Sequence, residues 1–174
     1  MDKIKIIKDI IEYIVIIGAV LLVKFYIVTP IKVNGNSMNP NLYNKDLMFL
    51  NEITYRFNDI ERFDIVVVDL NFNGKSEKII KRVIGLPGET VEFKDNKLYI
   101  NGKYIEEKFE HDTTSNFSMD EIDSKIIPDG YYFVAGDNRG DSLDSRIVGL
   151  INKKDIMGKA SIVFYPFSRI GRVK

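Results

Sequence analysis

The feature that most constrains the fold is a long apolar run that begins at residue 10 and ends at residue 28. Its nineteen residues, IIEYIVIIGAVLLVKFYIV, would form a helix about 28 Å long. The hydrocarbon core of a bilayer is about 30 Å thick, so such a helix could cross it. The two charged residues, Glu12 and Lys24, lie near its ends, where long side chains reach the polar interface. The run therefore predicts a transmembrane anchor over residues 10–28.

Two alternatives to an anchor fit the sequence less well. A cleavable signal peptide has a shorter apolar region and small residues at its cleavage site, whereas Thr29-Pro30-Ile31-Lys32 follows here. A buried helix of a soluble protein is usually more amphipathic. Lysines before the run favour a cytoplasmic N-terminus over residues 1–9, with residues 29–174 outside the cell membrane. These lysines are Lys3, Lys5 and Lys8.

Composition excludes several functions. Basic and acidic residues number 25 each, so the chain carries no net positive charge to hold nucleic acid. It has no cysteine, which rules out disulfides, thiolate zinc sites and a cysteine nucleophile. The one histidine, His111, cannot form a His-rich metal site, and we expect no metal or other cofactor. His111 lies in a polar segment, which predicts an exposed loop rather than a Ser-His-Asp triad.

From Lys32 onward the residue pattern is almost wholly that of β-structure. Short apolar or alternating segments are separated by Gly, Pro and Asn. Residues 70–76 predict a turn, and the acidic and polar residues 106–127 predict a surface excursion. Many short strands are typical of an all-β sandwich or barrel, here as one domain over residues 29–174. The predicted strands are 46–50, 65–68, 79–84, 90–93, 97–100, 104–105, 131–135 and 158–165.

A turn-like segment lies between two apolar runs and reads NGNSMNPNL over residues 34–42. Its serine, Ser37, is either a plain turn serine or, if a base lies nearby, a nucleophile. Ser37 follows Val28 by nine residues. Such a length spans at most about 30 Å, so Ser37 must lie close to the membrane surface. A membrane-embedded substrate could present a segment there.

Two adjacent cations, Lys81 and Arg82, lie within the strand predicted at residues 79–84. Alternation places them on opposite faces, each beside apolar residues. An edge strand protected by charge is one explanation. Alternatively, a dry pocket lowers the pKa of Lys81, and the neutral amine then accepts the proton of a serine hydroxyl. Arg82 stays protonated and cannot be that base, so it would need a carboxylate partner.

A third segment, GDNRGDSLDSRIVG over residues 136–149, is dense in Asp, Arg, Ser and Gly. It could be a long solvated loop. Alternatively, charge-assisted Asp–Arg pairs could hold it rigidly.

Together these segments resemble one known family. In order, SMNPNL (37–42), DLMFL (46–50), RFDIVV (62–67), KRVIGLPGE (81–89) and residues 136–149 are similar to the bacterial type I signal peptidases, peptidase family S26. The similarity is to the short, Gram-positive-like form. It implies a mainly β, signal-peptidase/LexA-like β-barrel-type catalytic domain behind one N-terminal transmembrane helix. Lys81 matches the bacterial branch, because the endoplasmic-reticulum branch has His there.

The resemblance also implies a catalytic pair, with Ser37 as nucleophile and Lys81 as general base. Members cleave signal peptides from exported preproteins after small-x-small sites, and the substrate adds as an extended strand beside the active site. The Ser37 N–H would bind the oxyanion, but Gly35 lacks the hydroxyl that often helps. The implied supporting residues are Ser142, which orients the lysine, and the ion pairs Asp144–Arg146 and Asp137–Arg82. The implied substrate-binding residues are Val33, Gly35, Asn36 and Met38.

Departures from the family pattern are mild. Asn41 replaces the usual Thr, whereas Lys45 and Phe63 replace the usual Gly. None of them touches the Ser-Lys pair. Two other functions stay open on the sequence. A LexA-like self-cleaving peptidase shares the chemistry but usually carries a DNA-binding domain. A non-catalytic membrane-tethered β module would leave the pairing of Ser37 with Lys81 unexplained.

Overall fold

A computed structural model describes residues 3–26, 28–72 and 74–173. The chain begins with helix α1 (Lys3–Tyr26) and then folds mainly into β-structure. The strands are β1 (Val28–Lys32), β2 (Leu47–Asn51), β3 (Ile65–Phe72), β4 (Lys75–Gly85), β5 (Val91–Lys94), β6 (Lys97–Ile100), β7 (Lys103–Ile105), β8 (Phe117–Ser118), β9 (Tyr131–Ala135), β10 (Ile151–Asn152), β11 (Ile156–Tyr165) and β12 (Gly171–Arg172). Two short helices, α2 (Thr54–Phe57) and α3 (Ser145–Val148), and 3-10 turns at Met119–Ile122, Lys153–Asp155 and Phe167–Arg169 complete it.

Helix α1 differs in its bounds from the anchor expected at residues 10–28. It begins earlier, and at its C-terminal end Val28 already belongs to β1. Pro30 lies within β1, the first strand in the order of its sheet, where a missing N–H is tolerated. Among the residues that the structure describes, no helix has both the length and the apolar character needed to span a membrane.

The strands form two antiparallel sheets. The larger has eight strands in the order β1-β2-β11-β3-β4-β9-β10, with β12 paired to β11. The smaller has four, in the order β7-β6-β5-β8. Within the described ranges β1 does not pair with β10, so the larger sheet stays open. The mainly β prediction is therefore confirmed, whereas a closed barrel is not found.

The core follows from strand alternation. Consecutive residues of β3, Val66 and Val67, enter different apolar clusters on the two faces of the larger sheet. A third cluster lies between the two sheets and joins Ile84 and Phe133 to Phe93 of β5. Because both faces of β4 are covered, any charged residue in its second half is buried.

The strand register relates the helix to the middle of the sheet. One row of paired residues crosses five strands at the same level, from the start of β1 to β4. Lys81 therefore lies level with the point where the chain leaves α1. This row is Val28, Asn51, Lys159, Val66 and Lys81.

The turn expected at residues 70–76 is wrong in extent, since β3 continues to Phe72 and β4 begins at Lys75. Asp69 pairs with Lys78 in the register, and the Ser76 hydroxyl donates to Asp69 Oδ1 at 2.7 Å. Cross-strand partners stabilise this exposed hairpin arm. Leu70 and Phe72 alternate with polar residues on the β3 side, but Lys75–Lys78 on the β4 side are all polar and exposed, which hid that strand end from a pattern-based prediction.

The prediction that residues 106–127 form a surface excursion is correct only in part. Phe117, Met119 and Ile127 are buried in the cluster between the sheets. His111 is also not fully exposed, because its side chain keeps 15% of its accessible surface and Nε2 lies 3.4 Å from Glu107 Oε2. Apolar residues spaced irregularly among polar ones left no periodic signal.

Candidate active site

Ser37 and Lys81 are 44 residues apart in the chain and meet in the structure. Lys81 Nζ donates a hydrogen bond to Ser37 Oγ at 2.6 Å. Ser37 lies in the turn after β1, and Lys81 comes from the middle of β4, where it is only 2% exposed. A hydroxyl bonded to a buried amine is the geometry required for a nucleophile and its base.

Burial is the main influence on the Lys81 ammonium group. It lowers the pKa of Lys81 from 10.5 to about 8, because desolvation penalises the charged form. The carboxylates of Asp144, Asp137 and Glu77 act in the opposite direction, and Arg146 adds to the lowering. A lysine with this pKa is neutral in roughly a tenth of the molecules at pH 7.

The turn that carries Ser37 is fixed by backbone hydrogen bonds. Asn39 N donates to Asn36 O at 3.0 Å, and Asn138 N donates to Ser37 O at 3.0 Å. Asn138 Nδ2 also donates to Asn36 O at 3.2 Å. Gly35 has a φ of +86°, a conformation that side chains disfavour. In the described part of the chain the Ser37 N–H makes no hydrogen bond, so it is available to an oxyanion.

Gly136 lies directly behind the turn and has no room for a side chain. A Cβ at this position would lie 2.4 Å from Ser37 O and 2.2 Å from Ser142 Oγ. Glycine at the start of the 136–149 segment therefore lets that segment approach the backbone of Ser37.

Arg82, the neighbour of Lys81, has the carboxylate partner that the sequence required. Its Nε donates to Asp137 Oδ1 at 2.8 Å and its Nη2 to Asp137 Oδ2 at 2.7 Å. Both side chains are at most 2% exposed, and the guanidinium stacks 3.8 Å from the centre of the Phe109 ring. Asn41 Nδ2 donates to Asp137 Oδ2 at 2.8 Å. The ion pair is thereby joined to the segment that carries Ser37.

A second ion pair, Asp144–Arg146, stabilises the 136–149 segment. Arg146 Nε and Nη2 donate to Asp144 at 2.9 and 2.7 Å, and Gly136 N donates to Asp144 Oδ2 at 2.9 Å. Burial tends to raise the pKa of Asp144, but Arg146 and the Gly136 N–H outweigh it and leave the pKa below its usual value. Asp144 therefore stays ionised and braces this loop.

Ser142 does not make the contact to Lys81 that the resemblance implies. Its Oγ is buried near Asp144, without a well-formed hydrogen bond to any described residue. The hydroxyl is thus close to the site but is not bonded to the amine.

Sequence reasoning missed two arginines that brace the site. Arg139 is buried, forms an ion pair with Glu107 and donates to Thr114 Oγ1 at 3.0 Å. Arg169, near the end of the chain, donates to Asn41 O at 3.1 Å and lies 3.3 Å from a carboxylate oxygen of Asp46. Neither pairing leaves a periodic signal, because the partners are far apart in sequence.

A cleft of about 320 Å³ opens at Ser37 and Lys81. Of the four residues expected to bind substrate, Gly35 and Asn36 line it. Val33 and Met38 do not, since they are 3% and 1% exposed and pack in the core. The cleft is lined by residues 34–37, residues 77–81, Asp141 and Leu143. Within the described residues no group of three or more His, Asp or Glu side chains could hold a metal ion.

The fold and this site together define a mainly β protein in which a turn serine contacts a buried strand lysine. The model of the family described as "Signal peptidase, peptidase S26" matches residues 6–165. The chain belongs to this family and is a peptidase of the serine type.

Several known proteins are similar to the chain. Signal peptidase I P of Bacillus subtilis subsp. natto is 42% identical over 163 residues, covering 89% of this chain and 86% of the relative. Signal peptidase IB of Staphylococcus aureus is 37% identical and covers 92% of both. A crystal structure of a signal peptidase I from Enterococcus faecalis V583 superposes with a TM-score of 0.53 at 35% identity. That match covers 59% of this chain and 97% of the other.

Proposed function

We propose that this chain is a membrane-bound endopeptidase that removes signal peptides from exported preproteins, with Ser37 as nucleophile and Lys81 as general base. The observation that carries the proposal is the 2.6 Å contact between Ser37 Oγ and Lys81 Nζ. It is supported by the signal peptidase I proteins to which the chain is similar. Cleavage would follow small-x-small sites, as the family resemblance implies.

The chemical steps follow from this pair. Neutral Lys81 takes the Ser37 proton while Oγ attacks the scissile carbonyl carbon and the carbonyl oxygen becomes an oxyanion. The Ser37 N–H is the available donor to that oxyanion. Lys81 returns the proton to the leaving amine as the peptide bond breaks. Water, activated by Lys81, then hydrolyses the acyl-enzyme and restores Ser37.

Five residues would hold the base and the nucleophile in place. The pairs Asp137–Arg82 and Asp144–Arg146 brace the strand and the loop on either side of the site. Ser142 packs against Gly136 beside the Ser37 carbonyl. These residues act as supports, and none of them exchanges a proton with the substrate.

The substrate would enter as an added strand. β4 pairs with β9 only from Arg82 onward, so its earlier half has one free edge next to the cleft. Gly35 and Asn36 form the opposite wall. An extended peptide bound between them would present its scissile bond at Ser37.

Membrane attachment is part of the proposal. The apolar run 10–28 supplies the anchor up to the start of β1 at Val28, residues 1–9 lie in the cytoplasm and residues 29–174 lie outside. The apolar run and the preceding lysines support it. The row of paired residues from Val28 to Lys81 would keep the Ser37–Lys81 pair level with the point where the chain leaves the helix. A preprotein held in the bilayer could then reach it.

The test is cleavage of a preprotein with an Ala-x-Ala site by the full chain in lipid vesicles. Ser37→Ala and Lys81→Ala should each lose at least about a hundredfold in rate. Two exposed residues supply matched controls, Ser115→Ala and Lys75→Ala, which should keep the parental rate. Parental cleavage by either active-site variant would contradict the assigned pair. Absence of cleavage by the parent would contradict the function.

A further inference from the structure

A second pocket of about 290 Å³ lies beside the nucleophile's turn. It is lined by Asn39, Pro40, His111, Asp112 and Asn138. It shares no lining residue with the cleft at Ser37 and Lys81. The residues before Ser37 line the cleft, and those after Met38 line this pocket, so the two flank the nucleophile.

Hydrogen bonds tie this pocket closely to the reacting serine. Asn138 N donates to Ser37 O at 3.0 Å, and Asp112 N donates to Asp137 O at 2.9 Å. Asn138 therefore contacts Ser37 directly, whereas Asp112 is linked to it through Asp137, the residue before Asn138. Extended peptide advances about 3.3 Å per residue, so two or three residues after a bond cut at Ser37 would reach the pocket.

The polar groups of the pocket suit a ligand that carries hydrogen-bond donors. Asp112 is exposed, and no Lys or Arg nitrogen of the described residues lies within 4.0 Å of its carboxylate. Its Oδ1 accepts only from the neighbouring Thr113 N, at 2.8 Å. Asn39 Oδ1 is buried and has no hydrogen-bond partner among the described residues.

The basic side chains closest to Asp112 already have other partners. Arg139 is paired with Glu107. His111 Nε2 faces Glu107 Oε2, while its Nδ1 contacts the Asp112 carbonyl oxygen at 2.8 Å. Pro40 and the His111 ring supply apolar surface along which an alkyl chain can pack. An unpaired carboxylate with apolar walls matches a lysine or arginine side chain.

We propose that this pocket binds a basic side chain at the second or third residue after the cleaved bond. The peptidase would then favour preproteins whose mature region begins with Lys or Arg at one of these positions. This inference rests on the proposed function, because it concerns the part of the substrate that follows the bond cut by Ser37.

The test compares peptides with one Ala-x-Ala site that carry Lys, Gln or Glu at the second and third positions after the bond. For the full chain in vesicles, kcat/KM should be about three- to fivefold higher with Lys than with Gln, the range of one exposed ion pair. It should be lower again with Glu. Asp112→Asn should bring the Lys-to-Gln ratio to about one, and Asp112→Lys should make Glu the preferred residue.

Asp129→Asn is the matched control, because Asp129 is equally exposed and lies in the turn before β9. It should keep the parental ratio. Equal cleavage of all peptides by the parent, or an unchanged ratio in Asp112→Asn, would overturn the pocket assignment while leaving the proposed function intact. Cleavage of no peptide by the parent would overturn the proposed function and the inference with it.

Discussion

Lys81 and Arg82 are neighbours in β4 with nearly the same burial, 2% and 1% exposed, but their surroundings differ. Arg82 is bound by both oxygens of Asp137 and is covered by the Phe109 ring. Lys81 has a serine hydroxyl as its hydrogen-bond partner. The carboxylates that influence Lys81 are not in direct contact with it, so desolvation prevails and lowers its pKa. A directly bound carboxylate fixes Arg82 as a charged structural residue, and the lack of one at Lys81 is consistent with the role of base proposed for it.

The largest expected effect comes from exchanging one cation for the other type. Lys81→Arg keeps the charge but introduces a group that stays protonated at any working pH. We expect kcat/KM for a preprotein to fall by about a thousandfold or more. Lys75→Arg, on the exposed end of the same strand, should leave kcat/KM unchanged. Substantial cleavage by Lys81→Arg would show that position 81 does not act as a base.

Removing the other cation should affect stability. Arg82→Gln leaves the Asp137 carboxylate buried with only part of its hydrogen bonding, and we expect a loss of about 3–5 kcal/mol in the free energy of unfolding. Urea unfolding of the full chain in detergent measures it. Arg62→Gln is the control, since the Arg62–Glu89 pair is 20% and 17% exposed and should cost less. Equal losses of unfolding free energy in Arg82→Gln and Arg62→Gln would contradict the structural role assigned to the buried Arg82–Asp137 pair.

Replacing Lys81 by an apolar residue should stabilise the fold. A pKa of about 8 in the folded state, against 10.5, means that the unfolded chain holds this proton more tightly. The resulting penalty of about 3 kcal/mol is fully present below pH 8 and disappears as the pH rises towards 10.5. Lys81→Met should therefore be inactive but more stable than the parent at pH 7, and the two stabilities should converge as the pH rises. Unfolding at several pH values checks this, and lower stability of Lys81→Met at pH 7 would contradict it.

The smallest effect concerns a charge near Lys81. Glu77 raises the pKa of Lys81, so Glu77→Gln should lower it further. The rising limb of the pH–rate profile should then move to lower pH. Glu92→Gln, an exposed charge on β5 of the other sheet, should leave the profile in place. A shift of the limb to higher pH in Glu77→Gln would contradict the electrostatic description.

The sequence and the family resemblance together predicted the central part of the site and two of its supporting ion pairs, but not the buried arginine further out. Strand alternation put Lys81 and Arg82 on opposite faces, and the need of Arg82 for a carboxylate could be deduced from its chemistry alone. The family resemblance named Asp137 as that partner, and the structure contains this ion pair. The pairing of Arg139 with Glu107 could not be deduced, because a polar contact between distant residues leaves no mark on local periodicity.

The fold was predictable to a similar extent. Most strands follow from short apolar or alternating segments, and the mainly β class is confirmed. Whether the sheet closes depends on pairing between its first and last strands, β1 and β10, which no local pattern records. The burial of Val33 and Met38 likewise depends on how the turn folds back onto β2.

The pH dependence of kcat/KM for the parental chain tests the central claim most directly. If neutral Lys81 is the base, the rate should rise tenfold per pH unit below about 8 and level off above it. The midpoint of the rising limb should match the pKa of Lys81 and should not report any other group of the cleft. A flat profile from about pH 6 to pH 10 would contradict a lysine base at this site.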